Sequence, residues 1–111
     1  MASKLNLNIE QGATFSLGLE LTDDNGVTFD LGGYTGRSQM RKSHSSLNFV
    51  ELDVSITNIT GGNITISKSA TATSGITAGR YVYDVEIFNN AGNVKRIIEG
   101  VATVLPEVTK S

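Results

Sequence analysis

Apolar and polar residues alternate with a period of two through most of this chain. Leu5, Leu7 and Ile9 alternate with Asn6 and Asn8, the pattern of a strand with one buried face. After a break at Gln11-Gly12, the residues Phe15, Leu17, Leu19 and Leu21 put apolar side chains on one face, with Thr14, Ser16, Gly18 and Glu20 on the other. Asp23-Asp24-Asn25-Gly26 predicts a hairpin turn and Val27 to Asp30 a short return. Gly32-Gly33 then permits a sharp change of direction into a strand from Tyr34, where Tyr34, Gly36, Ser38 and Met40 face the core and Thr35, Arg37, Gln39 and Arg41 face out. The small residues at 36 and 38 leave room for a bulky neighbour, such as an aromatic from a facing sheet.

Lys42 to Ser46 is polar and predicts an exposed loop. Phe49 to Ile56 is a strand with Val50, Leu52, Val54 and Ile56 on one face, Thr57 to Gly62 a turn, and Asn63 to Lys68 a strand with Ile64 and Ile66 inward. Only Ser69 to Ala78 suits a helical turn, with Ala70, Ala72 and Ile76 packing down; its threonines and Gly75 keep it short. The last third is one long hairpin, in which Gly79 to Ile87 and Val94 to Leu105 flank an Asn/Gly-rich turn tolerant of positive φ. Tyr81, Tyr83, Val85 and Ile87 form its core face, and Tyr83 suits the corner tyrosine of a sandwich. On the return strand both faces carry apolar residues: Ile98, Gly100, Ala102 and Val104 oppose Ile97, Glu99, Val101, Thr103 and Leu105. About seven strands, spaced by roughly 8–12 residues and separated by turns, predict an all-β fold: an antiparallel immunoglobulin-like β-sandwich forming a single domain over residues 1–111. A small barrel is the alternative.

Composition narrows the chemistry. The 111 residues include no cysteine, which removes disulfides, thiolate nucleophiles and cysteine-based zinc sites together. Nine Lys and Arg against eleven Asp and Glu give a net charge of −2, so there is no basic field to neutralise phosphates and nucleic acid is not expected as a partner. No apolar run approaches the roughly 20 residues of a membrane span, and Met1-Ala2-Ser3-Lys4 does not begin a signal peptide, so neither membrane insertion nor export is expected.

Candidate catalytic groups are sparse. His44 is the one histidine, and Ser43, Ser45 and Ser46 surround it only as loop neighbours; a general base needs an orienting carboxylate and a pocket. Asp23-Asp24-Asn25-Gly26 superficially suits a hard cation, but Val27, Thr28 and Phe29 follow where a calcium loop needs further oxygen ligands. Asp84 and Glu86 share a strand face like paired glycosidase carboxylates, though a solvated outer face is the simpler account. Gly32-Gly33 and Gly61-Gly62 lack the Lys-Ser/Thr of a phosphate cradle. These residues predict no enzyme, cofactor, metal or small-molecule substrate.

The order of the motifs resembles a family of small virion proteins of tailed bacteriophages, including phages of marine hosts. The likeness rests on Gln11-Gly12-Ala13-Thr14-Phe15, on Asp30 to Thr35 followed by Gln39-Met40-Arg41, on Ala78 to Asp84 and on Glu99 to Thr109. It spans nearly the whole chain and implies an immunoglobulin-like module similar to the N-terminal domain of baseplate upper proteins. It transfers no catalytic residue. Longer relatives join this module to a receptor-binding region, whereas this sequence stops at Ser111, so host recognition is not expected of it.

The expectation is therefore a non-enzymatic virion protein of the tail or baseplate, present in the virion and in the host cytoplasm during assembly. It would bind other virion proteins, and self-association is one form of that assembly. Capsid decoration and glycan binding are the alternatives. Ile97, Val101 and Leu105, if solvent-facing, form the candidate interface, because monomers avoid such patches.

Overall fold

A computed structural model describes residues 3–22 and 25–108. The Asp23-Asp24 half of the expected hairpin turn lies outside the described residues. The elements are β1 (Ser3–Lys4), β2 (Leu7–Glu10), β3 (Phe15–Glu20), β4 (Tyr34–Arg41), β5 (Val50–Asn58), β6 (Asn63–Lys68), α1 (Ala70–Ser74), β7 (Gly79–Asn89) and β8 (Val94–Leu105). They form an immunoglobulin-like β-sandwich made from one curled sheet, in the order β1-β8-β7-β4-β5-β6-β3, with β2 also paired to β8.

Strand β5 makes the fold. Its first residues pair with β4 (Ser38↔Leu52, Met40↔Val50) and its later ones with β6 (Val54↔Ile66, Ile56↔Ile64), so one strand passes from the larger half-sheet to the smaller. The alternation of Val50, Leu52, Val54 and Ile56 keeps one apolar face inward along that passage. Ile64 and Ile66 meet Met40, Tyr83, Val85 and Ile87 in a continuous core. The space above Gly36 is filled by Val54, not by an aromatic. Ser38 is buried because its hydroxyl donates to the Asp84 carbonyl at 2.6 Å.

The short return after the first turn is reduced to a single bridge, Thr22↔Thr28, after which Phe29 turns inward and meets Tyr34 edge to face at 5.8 Å. The expected first strand is also divided. β1 and β2 both run parallel to β8, but between them the chain leaves the ladder at Leu5-Asn6, and the Asn6 side-chain oxygen takes over as acceptor for the Val101 N–H at 3.1 Å.

Helix α1 is the short turn expected, capped by the Ser69 hydroxyl, which accepts from the Ala72 N–H. Its inward residue is Thr73 rather than the alanines. The Thr73 hydroxyl donates to the Ala13 carbonyl at 2.8 Å and accepts from the Gly12 N–H at 3.1 Å, so a fully buried polar group is satisfied on both sides. Gln11 reaches the same end: its amide donates to the Ile76 carbonyl at 2.7 Å and accepts from the Glu107 N–H at 3.0 Å. The first and last motifs of the chain are thereby tied together at one end of the sandwich.

The corner tyrosine is Tyr81, not Tyr83: the Tyr81 hydroxyl donates to the Thr77 carbonyl four residues upstream at 2.6 Å. Tyr83 instead reaches across the core to the Leu5 carbonyl.

Candidate functional site

Among the described residues, the three ion pairs all lie on the outer face of β4, β7 and β8. Across the strands, Gln39 stands opposite Asp84 and Asp84 opposite Glu99, which pairs with Lys4; in the next row Arg37 opposes Glu86, which opposes Arg96. Arg37 contacts Glu86 at 2.9 Å, and Arg96 contacts Asp84 at 3.3 Å and Glu99 at 3.9 Å. Phe88 is covered by the Arg37 guanidinium at 4.6 Å and Phe49 by Arg41 at 4.8 Å. The carboxylates Asp84, Glu86 and Glu99 are thus held by two arginines, Arg37 on one side and Arg96 on the other, while Arg41 turns to the Gln39 side chain and the Ser46 carbonyl.

Asp84 sits at the centre. Burial raises its carboxyl above the ordinary value, Glu86 and Glu99 raise it further, and Arg96 and more weakly His44 pull it down. The folded state therefore favours the protonated form, and the stability that this preference gives is present in acid and lost as pH rises through the folded value. At neutral pH the ionised carboxylate is a net cost despite its ion pair. Asp84→Asn is accordingly expected to leave stability unchanged, or to raise it by less than about 1 kcal/mol, in urea denaturation at pH 7. A loss greater than that would show the Arg96 pair outweighing burial.

His44 comes to the same face. It lines a shallow depression of 110 Å³ with Gln39, Arg41, Asp84, Arg96 and Glu99. Among the described residues no hydrogen bond joins His44 to a carboxylate, and Ser43 and Ser46 are occupied with one another, 3.0 Å apart between hydroxyls. Among the described residues there is also no group of three or more metal-ligating side chains. The arrangement is one of paired surface charges, not of a base aimed at a nucleophile.

Of the three candidate interface residues, two stay on this face. Val101 is half-buried beside Val82, and Leu105 is 40% exposed. Ile97 departs from them. The β7–β8 ladder slips between Val85↔Ile98 and Glu86↔Arg96, which leaves Ile97 as an extra residue in a bulge. It packs against the core at the mouth of the gap between the two half-sheets, with Leu19, Leu21 and Phe29. The expected three-residue apolar patch therefore reduces to Val101 and Leu105 beside a charged field. That field was missed as a unit because its members come from separate strands, and only the β4–β7–β8 register aligns them.

No protein-family model and no curated protein matches the chain. Among solved structures it is similar to a mutant of the SrpA adhesin from Streptococcus sanguinis, with 16% identity over 91% of this chain and 55% of that one, at a TM-score of 0.51. It is similar too to the internalin-like protein lmo2027 of Listeria monocytogenes (21% identity, 94% of this chain and 28% of that one, TM-score 0.47). A structure of VGSC beta subunits matches at 13% identity over 92% of both chains, with a TM-score of 0.43. The chain thus spans about a quarter and about half of the two bacterial proteins it resembles. The SrpA likeness is one of fold.

Proposed function

We propose that this domain is a non-enzymatic structural component of a tailed-phage virion, in the tail or baseplate, and that it binds other virion proteins through the outer face of β4, β7 and β8. The observation that carries this reading is the ordered charge field itself. Arg37, Arg96 and their carboxylates are already paired and positioned, so a protein surface of complementary pattern meets them with little further ordering, and such patterns favour encounter and register. Val101 and Leu105 add apolar contact beside it. The phage assignment is supported by the motif order along the chain, whose first and last members touch through Gln11 and Glu107. Glycan binding is less favoured, since Tyr81 and Tyr83 are only 7% and 4% exposed and offer no stacking platform.

Mass spectrometry of head and tail fractions from purified particles tests the reading. The chain is expected in the tail fraction; its presence only in the head fraction would move it to capsid decoration, and its absence from particles would end the virion reading. Val101→Lys is expected to weaken incorporation roughly tenfold, about 1.4 kcal/mol of contact, with an unchanged circular dichroism spectrum and melting temperature. Unfolding of that variant would assign Val101 to the core instead.

A further inference from the structure

Of the sheet's two ends, one is guarded. Beside β8 lie β1 and β2, two and four residues long and interrupted at Leu5-Asn6, and short broken strands make a poor template for further pairing. The other end is β3, six residues long and paired only to β6. Among the described residues no strand covers its free side. β3 has no lysine, proline or positive-φ glycine, and its one charge, Glu20, is at its end. Phe15, Leu17 and Leu19 are only half-buried, whereas Ile64 and Ile66 on the neighbouring strand are 1% and 0% exposed. Next to Leu19 the gap between the half-sheets opens into a groove lined by Leu5, Leu21, Phe29 and Ile97.

We propose that β3 is a self-association edge: a second copy of the chain adds its β3 antiparallel to the first about a two-fold axis, joining the two β3–β6–β5 halves into one sheet. Residues directly opposite in an antiparallel pair share a face, so the axis must fall on a residue, either Leu17 or Gly18. With the axis on Leu17, that residue meets its own copy, Phe15 meets Leu19, Ser16 meets Gly18 and Thr14 meets Glu20. With the axis on Gly18, Leu17 meets Leu19 and Ser16 meets Glu20. Either way apolar side chains meet apolar side chains on the inner face, and the only charge meets a hydroxyl. The strand is complementary to itself, and the half-buried Phe15, Leu17 and Leu19 gain cover from the same residues of the second copy. The contact is isologous and closes at a dimer. It lies on the opposite end of the sheet from the charged face, and stands or falls separately from the virion reading.

Sedimentation velocity of the full chain over a wide concentration range is the test, and a concentration-dependent dimer is expected. The double variant Ser16→Glu/Gly18→Glu sets acid opposite acid in both registers. Its monomer has room for the change: Ser16 is exposed, and nothing lies within 4 Å of where a Cβ on Gly18 would stand. The dissociation constant is expected to rise at least about tenfold with an unchanged circular dichroism spectrum. Mixing this variant with Ser16→Lys/Gly18→Lys should restore a heterodimer. Independently of any variant, amide protection across Phe15–Glu20 should rise with concentration. A wild-type chain that stays monomeric throughout overturns the proposal, also if another protein's strand binds β3. A dimer that forms without added protection of the β3 amides, or that survives the double glutamate variant in folded form, overturns it equally.

Discussion

Gly62→Ala is expected to destabilise the domain by about 3 kcal/mol, combining roughly 1–2 kcal/mol for a side chain in the left-handed region with the cost of crowding a packed site. Gly62 has φ +67°, and a Cβ there would stand 2.6 Å from the Leu21 carbonyl oxygen and 2.9 Å from that of Phe29. Both are backbone atoms, so no side chain can swing aside. They also belong to the joint that closes this end of the fold: the Leu21 N–H donates to the Gly62 carbonyl at 2.8 Å, the Phe29 N–H to the Leu21 carbonyl at 3.0 Å and the Leu31 N–H to the Ile59 carbonyl at 2.9 Å. Against a total stability of about 5–15 kcal/mol, such a loss is large. Gly33→Ala is the control, because Gly33 has φ +79° but nothing within 4 Å of its would-be Cβ. Urea denaturation of both variants separates the two costs. Equal losses would mean that conformation alone, not crowding by Leu21 and Phe29, makes glycine necessary at position 62.

Sequence pattern located what a single strand determines by itself. The alternation of Ile64 and Ile66, or of Tyr34, Gly36, Ser38 and Met40, states which face is buried, and the structure places each set inward. The turn at Asn89 was equally legible: the Asn89 side chain accepts from the Ala91 and Asn93 N–H groups, and Gly92 takes φ +88°. Features decided by two strands together escaped. The bulge that turns Ile97 inward is a slip of β8 against β7, and since both faces of Arg96 to Leu105 carry apolar residues, neither alternation ruled it out. Thr73 reads as a surface residue until Gly12 and Ala13 are brought against it. Tyr81 and Tyr83 share a face, so periodicity could not say which one turns back on its own chain and which one crosses the core.

The same limit applies to the charged face. Arg37, Asp84, Glu86, Arg96 and Glu99 look scattered along the chain, and each read singly is an ordinary outward residue on a strand. Only the register that sets Arg37 beside Glu86 and Asp84 beside Glu99 makes them one field. Edge exposure is likewise a property of the whole sheet order. That β3 ends the sheet, while β8 is screened by β1 and β2, follows from the N-terminal segment crossing to the opposite half.

That crossing depends on Gly100, and Gly100→Ala is expected to cost about 2 kcal/mol by prising it loose. Leu5 passes over Gly100 so closely that a Cβ would collide with the Leu5 carbonyl carbon and oxygen, again backbone atoms. The same carbonyl accepts the Tyr83 hydroxyl, and Tyr83 lies opposite Gly100 in the ladder. Three residues therefore share one joint: displacing Leu5 leaves the Tyr83 hydroxyl without its acceptor and the Leu5 N–H without the Glu99 carbonyl, which it reaches at 3.0 Å. Hydrogen exchange at Leu5 and Val101 should quicken in the variant while the amides of β6 keep their protection. Alkaline titration gives a second signature. Burial pushes the Tyr83 hydroxyl up to about 12, so the folded state holds that proton where the unfolded chain releases it near pH 10. The stability gained this way is complete below about pH 10 and drains away as pH rises towards about 12. In Gly100→Ala a better-hydrated Tyr83 loses less over that window, so the difference between variant and wild type narrows as the solution becomes alkaline. A constant difference, or a variant as stable as wild type at pH 7, would mean that Leu5 can shift without disturbing Tyr83 and that the N-terminal crossing is held elsewhere.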